Sequence, residues 1–253
     1  MTKRSAITLI VYAPALMADK GRPVAVVHGM ERAFPGLRLH WKLDEGGRPI
    51  ALPQRDEWLL ASNKDGGFPF VCNGDERYPV TVWGMESSGL LSPGGQSQFE
   101  VHAKLPLDEP VIAAAAALLE GVAEGARSFW GHASPLGYGS EVAQQFRRSP
   151  DGPELSPRGL PMLNLPENLP TPEIPCFLGW VNYWSAAAAE VIGFPDPARD
   201  SELLTRARRT PSGGWIVQLT EAPLDYDNPA HLDALKRAYE RFPAIGGRAA
   251  PLP

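Results

Sequence analysis

The 253-residue chain has only two cysteines, Cys72 and Cys176, and no Cys-x-x-Cys. That excludes a disulfide framework, a zinc knuckle and a thioredoxin-like site, and it reads as two free, buried thiols. Long apolar runs are missing as well: the longest outside the N-terminus, Val111–Leu119, is far too short for a bilayer span. A basic excess is also absent. Lys and Arg total 24 against 29 Asp and Glu, for a net charge of −5. Nucleic-acid binders show the opposite balance or a basic patch, so no nucleic-acid partner is expected.

The signatures of several enzyme classes are lacking too. There is no Gly-x-Ser-x-Gly elbow, Walker A loop or dinucleotide fingerprint. The histidines, His28, His40, His102, His132 and His231, never stand three or four apart, so no helix face carries a ligand pair. No metal, cofactor or catalytic residue is therefore assigned. The nearest glycine–serine cluster is Gly137–Glu141, whose glycines allow close backbone approach to a ligand. It supports an alternative reading as an enzyme with a dispersed site there.

Proline and glycine are abundant, at 27 and 25 residues, about a fifth of the chain against an average near 12%. Glycines fall at turns and helix ends, whereas eight prolines crowd into Pro150–Pro175. Neither helix nor central strand survives that density. Leu155, Leu160, Leu163, Leu165, Leu169 and Ile174 are interleaved, which predicts an extended strap pressed onto the fold rather than a hydrophilic linker. A structural or assembly role for this strap is a further alternative.

The rest reads as strand pairs alternating with single helices. Strands are expected at Ala6–Ala13, Leu37–Leu43, Phe68–Cys72, Pro79–Met85 and Gln96–Leu105, the last two forming an antiparallel hairpin. Met1-Thr-Lys-Arg before Ala6–Tyr12 sketches a signal peptide, but the run is short, Pro14 interrupts it and Leu16 occupies the −3 position relative to Ala18. A first strand and a cytoplasmic protein are expected instead. Helices are expected at Pro23–Phe34, Gln54–Asn63 and Asp108–Phe129, with Asp108 as N-cap. In the last of these, Ala117, Gly121 and Gly125 form a smooth strip open to close packing. If strands one and two are parallel, their crossover is right-handed. Trp180–Ile192 reads as a strand end and a helix capped by Ser185. Leu203–Arg209 and Trp215–Thr220 flank a hairpin turn, and a last helix opens at Asn228-Pro229.

The expected fold class is α+β: a mixed or mainly antiparallel sheet with helices packed on one face, plus the strap. One domain over 1–253 is expected, with a possible division into 1–149 and 176–253 joined by 150–175. Two aromatic groups are candidate partner anchors: Tyr183 and Trp184, and the acidic patch Asp225, Tyr226 and Asp227, suited to a Lys or Arg from another protein.

From Gly179 onward the order of features resembles a known family. It comprises Gly179-Trp-Val-Asn-Tyr-Trp-Ser185, Trp215-Ile-Val-Gln-Leu-Thr220, Ala222-Pro-Leu-Asp225, Asn228-Pro-Ala-His231 and Arg241-Phe-Pro243 with Gly246-Gly-Arg248. This is similar to the immunity proteins of polymorphic and type VI secreted toxins, in particular the group paired with restriction-endonuclease-like toxins. It also resembles related uncharacterised bacterial proteins. The resemblance implies a non-enzymatic cytoplasmic protein that binds one toxin, with a basic toxin surface as partner and no membrane. It leaves the strap's role and the oligomeric state open.

Overall fold

The computed structural model describes residues 6–16, 19–62, 67–146 and 156–247. The fold is α+β, built on a ten-stranded sheet in the order β3-β2-β4-β5-β6-β1-β7-β8-β10-β9. The strands are β1 (Ala6–Pro14), β2 (Trp41–Leu43), β3 (Pro49–Ala51), β4 (Phe68–Cys72), β5 (Thr81–Ser87) and β6 (Gln98–Pro106). They continue with β7 (Trp130–Pro135), β8 (Val181–Trp184), β9 (Ala207–Arg209) and β10 (Trp215–Gln218). All neighbouring pairs are antiparallel. In this alternating sheet β1 and β2 stand four positions apart and so run parallel, but they are not neighbours: β1 sits between β6 and β7, with β4, β5 and β6 between it and β2. Strands from both sides of residues 150–175 join this one sheet and one hydrophobic cluster.

The described helices are α1 (Arg22–Ala33), α2 (Arg55–Ser62), α3 (Glu109–Ala126), α4 (Tyr138–Gln145), α5 (Ala186–Ile192), α6 (Ser201–Leu204) and α7 (Pro229–Arg241). Three of them, α3, α5 and α7, begin at a side-chain cap that the sequence supplies. Asp108 accepts from the Val111 amide, Ser185 from Ala188 and Asn228 from Ala230, each satisfying an orphan N–H of a first turn.

Strand alternation divides the core into two faces. Ile7, Leu9, Val11 and Ala13 of β1, with Phe99 and Val101 of β6, lie on the face covered by α1 and α3, and all are fully buried. Arg22 of α1 lies over the Phe99 ring at 5.5 Å. On the opposite face Tyr12 stacks on Trp130 at 4.2 Å, and Trp184 meets Phe242 edge-on at 5.2 Å. Helix α4, Phe242 after α7 and the segment around Phe177 cover part of this second face, from β1 through β7 to β8. Its other half, carrying Thr81, Trp83 and Met85 of β5 and Glu100, His102 and Lys104 of β6, stays at least partly open to solvent.

Several segments differ from expectation: Leu203 and Leu204, expected in a hairpin strand, lie in α6, and the strand is only Ala207–Arg209. Leu37 and Leu39 are buried but precede β2, because the Leu39 amide is held by Glu31 Oε1 at 2.8 Å instead of a strand partner. Residues Trp130–Pro135, which carry no strand pattern in the sequence, form the buried strand β7. Gly131 is required there: a Cβ would sit 2.5 Å from Val11 and 2.8 Å from the Ile10 carbonyl.

The smooth strip on α3 receives α1. A Cβ on Gly29 would lie 2.1 Å from the Gly121 carbonyl oxygen, and one on Gly121 would lie 2.5 Å from that of Gly29. The two backbones are thus in direct contact. Gly29→Ala or Gly121→Ala forces them apart and is expected to destabilise by about 1–3 kcal/mol, the usual penalty of overpacking. Calorimetry should read this as a fall in Tm of roughly 2–4 °C per kcal/mol. Gly139→Ala, on an exposed turn of α4 with nothing within 4 Å, should be neutral or stabilising by up to about 1 kcal/mol.

Candidate functional site

Helix α4 meets the sheet where β7 ends, and a cavity of about 460 Å³ opens between them. Its floor is Thr8 and Ile10 of β1 with His132 and Ser134 of β7, and its walls include Val142, Phe146 and Phe177. Cross-strand register brings the floor together: Ile10 stands opposite both His102 and His132, and His132 opposite Asn182. The Gly137–Glu141 cluster is the entry turn of α4 and forms part of this rim, with Ser140 Oγ donating to the Gly137 carbonyl at 2.6 Å.

The polar groups of the floor are tied to backbone. Ser134 Oγ accepts from the Trp180 amide at 3.2 Å and lies 3.2 Å from His132 Nδ1. Asn182 takes the Gly179 amide on Oδ1 and returns Nδ2 to the Gly179 carbonyl. His132 Nε2 has no hydrogen-bond partner among the described residues. Burial, assisted by nearby His102, lowers the imidazole to about 3. General-base catalysis works best with a group poised near the ambient pH. Burial thus favours the neutral form of the His132 ring beside Ser134.

Of the five candidate partner residues, the three aromatics are inside, Asp225 is half-buried and Asp227 is exposed. Tyr183, Trp184 and Tyr226 are all buried. The Tyr183 ring faces α3, where its hydroxyl donates to Glu124 at 3.4 Å. Trp184 packs between Phe194 and Phe242. Their apolar area is spent inside, so they are not surface anchors. The acidic patch does receive an arginine, but from the chain's own strap. Arg158 Nη2 pairs with Asp227 at 3.2 Å, Nη1 donates to the Tyr226 carbonyl at 3.0 Å, and Nε pairs with Glu141 of α4 at 3.2 Å. The same guanidinium lies 5.6 Å from the Tyr226 ring centre, and Tyr226 stacks on Tyr138 at 5.7 Å. Asp225 is half-buried; its carboxylate accepts from the Asp227 amide, and its own amide donates to His231 Nδ1.

The described part of the strap, from Ser156 on, is built into the fold; Pro150, Pro153 and Leu155 lie outside the described residues. Leu160, Leu163, Leu169 and Ile174 are buried. Its backbone is also held: Leu163 N donates to the Gln145 carbonyl, Asn164 N to the Gly246 carbonyl, and Gly94 N to the Leu169 carbonyl. That last bond ties the strap to the loop between β5 and β6.

There the surface is unusual. Three 3₁₀ turns, Gly89–Leu91, Pro93–Gly95 and Pro166–Asn168, pack on one another. Leu90 is 87% exposed and Leu91 69%; Met85, in β5, is 49% and Leu165, just before the third turn, 37% exposed. Single exposed leucines are ordinary, but a group of large apolar side chains on adjoining turns marks an interaction surface. Sequence reading missed this group, and also Arg158 and His132. For Leu90-Leu91 a signal existed, two leucines inside a Ser- and Gly-rich turn.

Fold and site together define an α+β protein with one antiparallel sheet, a half-open cavity beside α4 and exposed leucines on packed turns. Residues 18–250 match the domain of unknown function DUF5953, and the chain belongs to that family. Among solved structures it is similar to Pseudomonas aeruginosa T6SS protein PA0821, with a TM-score of 0.52 and 15% identity over 94% of this chain and 74% of that one. At that identity the likeness is one of fold. No curated protein matches. Among the described residues no helix is long and apolar enough to cross a membrane.

Two outcomes follow for the site. His132 charges only near pH 3 in the folded state but near 6.5 when unfolded. Between those values the unfolded chain binds the extra proton, so stability falls as pH drops from about 6.5 toward 3, by up to about 1.4 kcal/mol per unit. Urea melts at pH 7 and 4.5 should show a smaller loss for His132→Gln than for the native chain. Arg158→Ala should lower stability by only about 1 kcal/mol, as expected for a partly exposed ion pair, while speeding amide exchange at Leu160 and its neighbours in the strap.

Proposed function

We propose that this chain is a cytoplasmic immunity protein that neutralises a cognate secreted toxin by direct protein–protein binding. The observation that carries this reading is the exposure of Leu90, Leu91, Met85 and Leu165 on and around three packed turns, a source of interface anchors. The fold shared with a T6SS protein supports it, as does the C-terminal resemblance to immunity proteins. A nuclease toxin fits best: it must hold phosphate and so carries basic residues, to which a chain of net charge −5 is complementary.

The test is co-expression with the product of the adjacent gene. Restored growth of cells making that product, and co-elution of the two proteins on gel filtration, are the expected results. A toxic neighbour that the chain neither binds nor restrains would overturn the reading.

A further inference from the structure

Charge is distributed unevenly along the chain. From Tyr78 to Ala103 there is no Lys or Arg, and from Gly159 to Ala198 there is none either. Acidic residues persist in both stretches, among them Glu86, Glu100, Glu167 and Glu173. These segments are far apart in sequence, yet the fold joins them: the first supplies the turns Gly89–Leu91 and Pro93–Gly95, the second the turn Pro166–Asn168 packed on them. Burial, with the negative charges of Glu100 and Glu167, pushes the Cys176 thiol upward, so both carboxylates act on this region. The exposed leucines therefore sit in a patch built from two segments that bring carboxylates and no cationic side chain of their own.

We propose that this turn platform is the docking surface for the toxin, and that the toxin meets it with a cation-rich face bearing apolar contacts. The proposal rests on the immunity reading and adds the location and the chemistry of the contact. Leu90 and Leu91 supply the anchors, because both side chains are largely in water and lose it only on binding. Glu167 and Glu173 attract the partner's Lys and Arg, which sets the speed and orientation of encounter more than the final affinity. The hydrogen bond from Gly94 N to the Leu169 carbonyl, 2.8 Å, fixes the two segments relative to each other, so little ordering is required on binding. A second copy of this chain is the poorer occupant, since an acidic patch facing itself repels.

The experiment measures binding kinetics of the full chain with a catalytically inactivated product of the adjacent gene, at low and high salt. Leu90→Asp/Leu91→Asp should raise Kd at least tenfold with unchanged Tm, since neither side chain is in the core. Glu167→Lys/Glu173→Lys should slow association about threefold or more and flatten its salt dependence, while Glu57→Lys on α2 should change neither. If the native complex forms and all variants bind alike, the platform is overturned while the immunity reading stands. If the native chain forms no complex at all, the immunity reading itself fails. Dimerisation of the native chain that Leu90→Asp/Leu91→Asp abolishes, with toxin affinity untouched, would overturn the platform in favour of self-association.

Discussion

The contact between Gly29 of α1 and Gly121 of α3 sets the geometry of the helical layer. Helices normally keep their axes 8–10 Å apart because side chains stand between them. Here the backbones touch, with Gly125 against Ala25 extending the seam. Two helices drawn this close act as one narrow slab, and Val26, Val27 and Met30 of α1 and Leu118, Leu119 and Val122 of α3 are all fully buried. The central strand β1 lies under that slab and is apolar on the face toward it. The second sheet face is buried only in part, around Trp130, Trp184 and Phe242, and it is there that the cavity and the open surface occur.

The strap solves a different problem. Its prolines forbid a regular backbone ladder, yet they also limit the freedom of the unfolded chain, so fixing it is less unfavourable. Each leucine it buries contributes about 1.5–3 kcal/mol, and Leu160, Leu163 and Leu169 are all inside. Arg158 then joins α4 to the turn before α7 through Glu141, the Tyr226 carbonyl and Asp227. An acidic and aromatic motif that looks made for a foreign arginine is filled by an internal one. The polar chemistry near the C-terminus is thus intramolecular, and the unsatisfied surface lies at the other end of the strap.

Much of the fold is legible in the residues themselves. Caps at Asp108, Ser185 and Asn228 mark helix starts because a side-chain oxygen there has a specific backbone donor to satisfy. The strict alternation Phe99, Val101, Ala103, Leu105 marks β6 because one face is buried and the other is not. Strand β7 is not legible: Trp-Gly-His-Ala-Ser-Pro has no β-branched residue, and its strand form is imposed by neighbours on both sides. The cavity went unseen with it, since His132 and Ser134 share a face only once that strand exists. Tyr183, Trp184 and Tyr226 illustrate a separate limit. Aromatic residues serve cores and interfaces equally well, and only the packing around them decides which.

The two ends of the sheet have a consequence for how this molecule meets others. Both edge strands are only three residues long, Pro49–Ala51 at one end and Ala207–Arg209 at the other. One begins with a residue that has no amide hydrogen, and the other ends in two arginines, of which Arg208 pairs with Glu120 and Arg209 lies over Trp215. Short, charged or proline-bearing edges are how natural sheets avoid templating aggregation or strand exchange. A wide sheet of this kind, open-edged, would otherwise invite another chain to add itself as an eleventh strand. With its borders blunted, the protein is left to recognise partners by side chains on its faces and turns, where sequence, rather than generic backbone pairing, decides what binds.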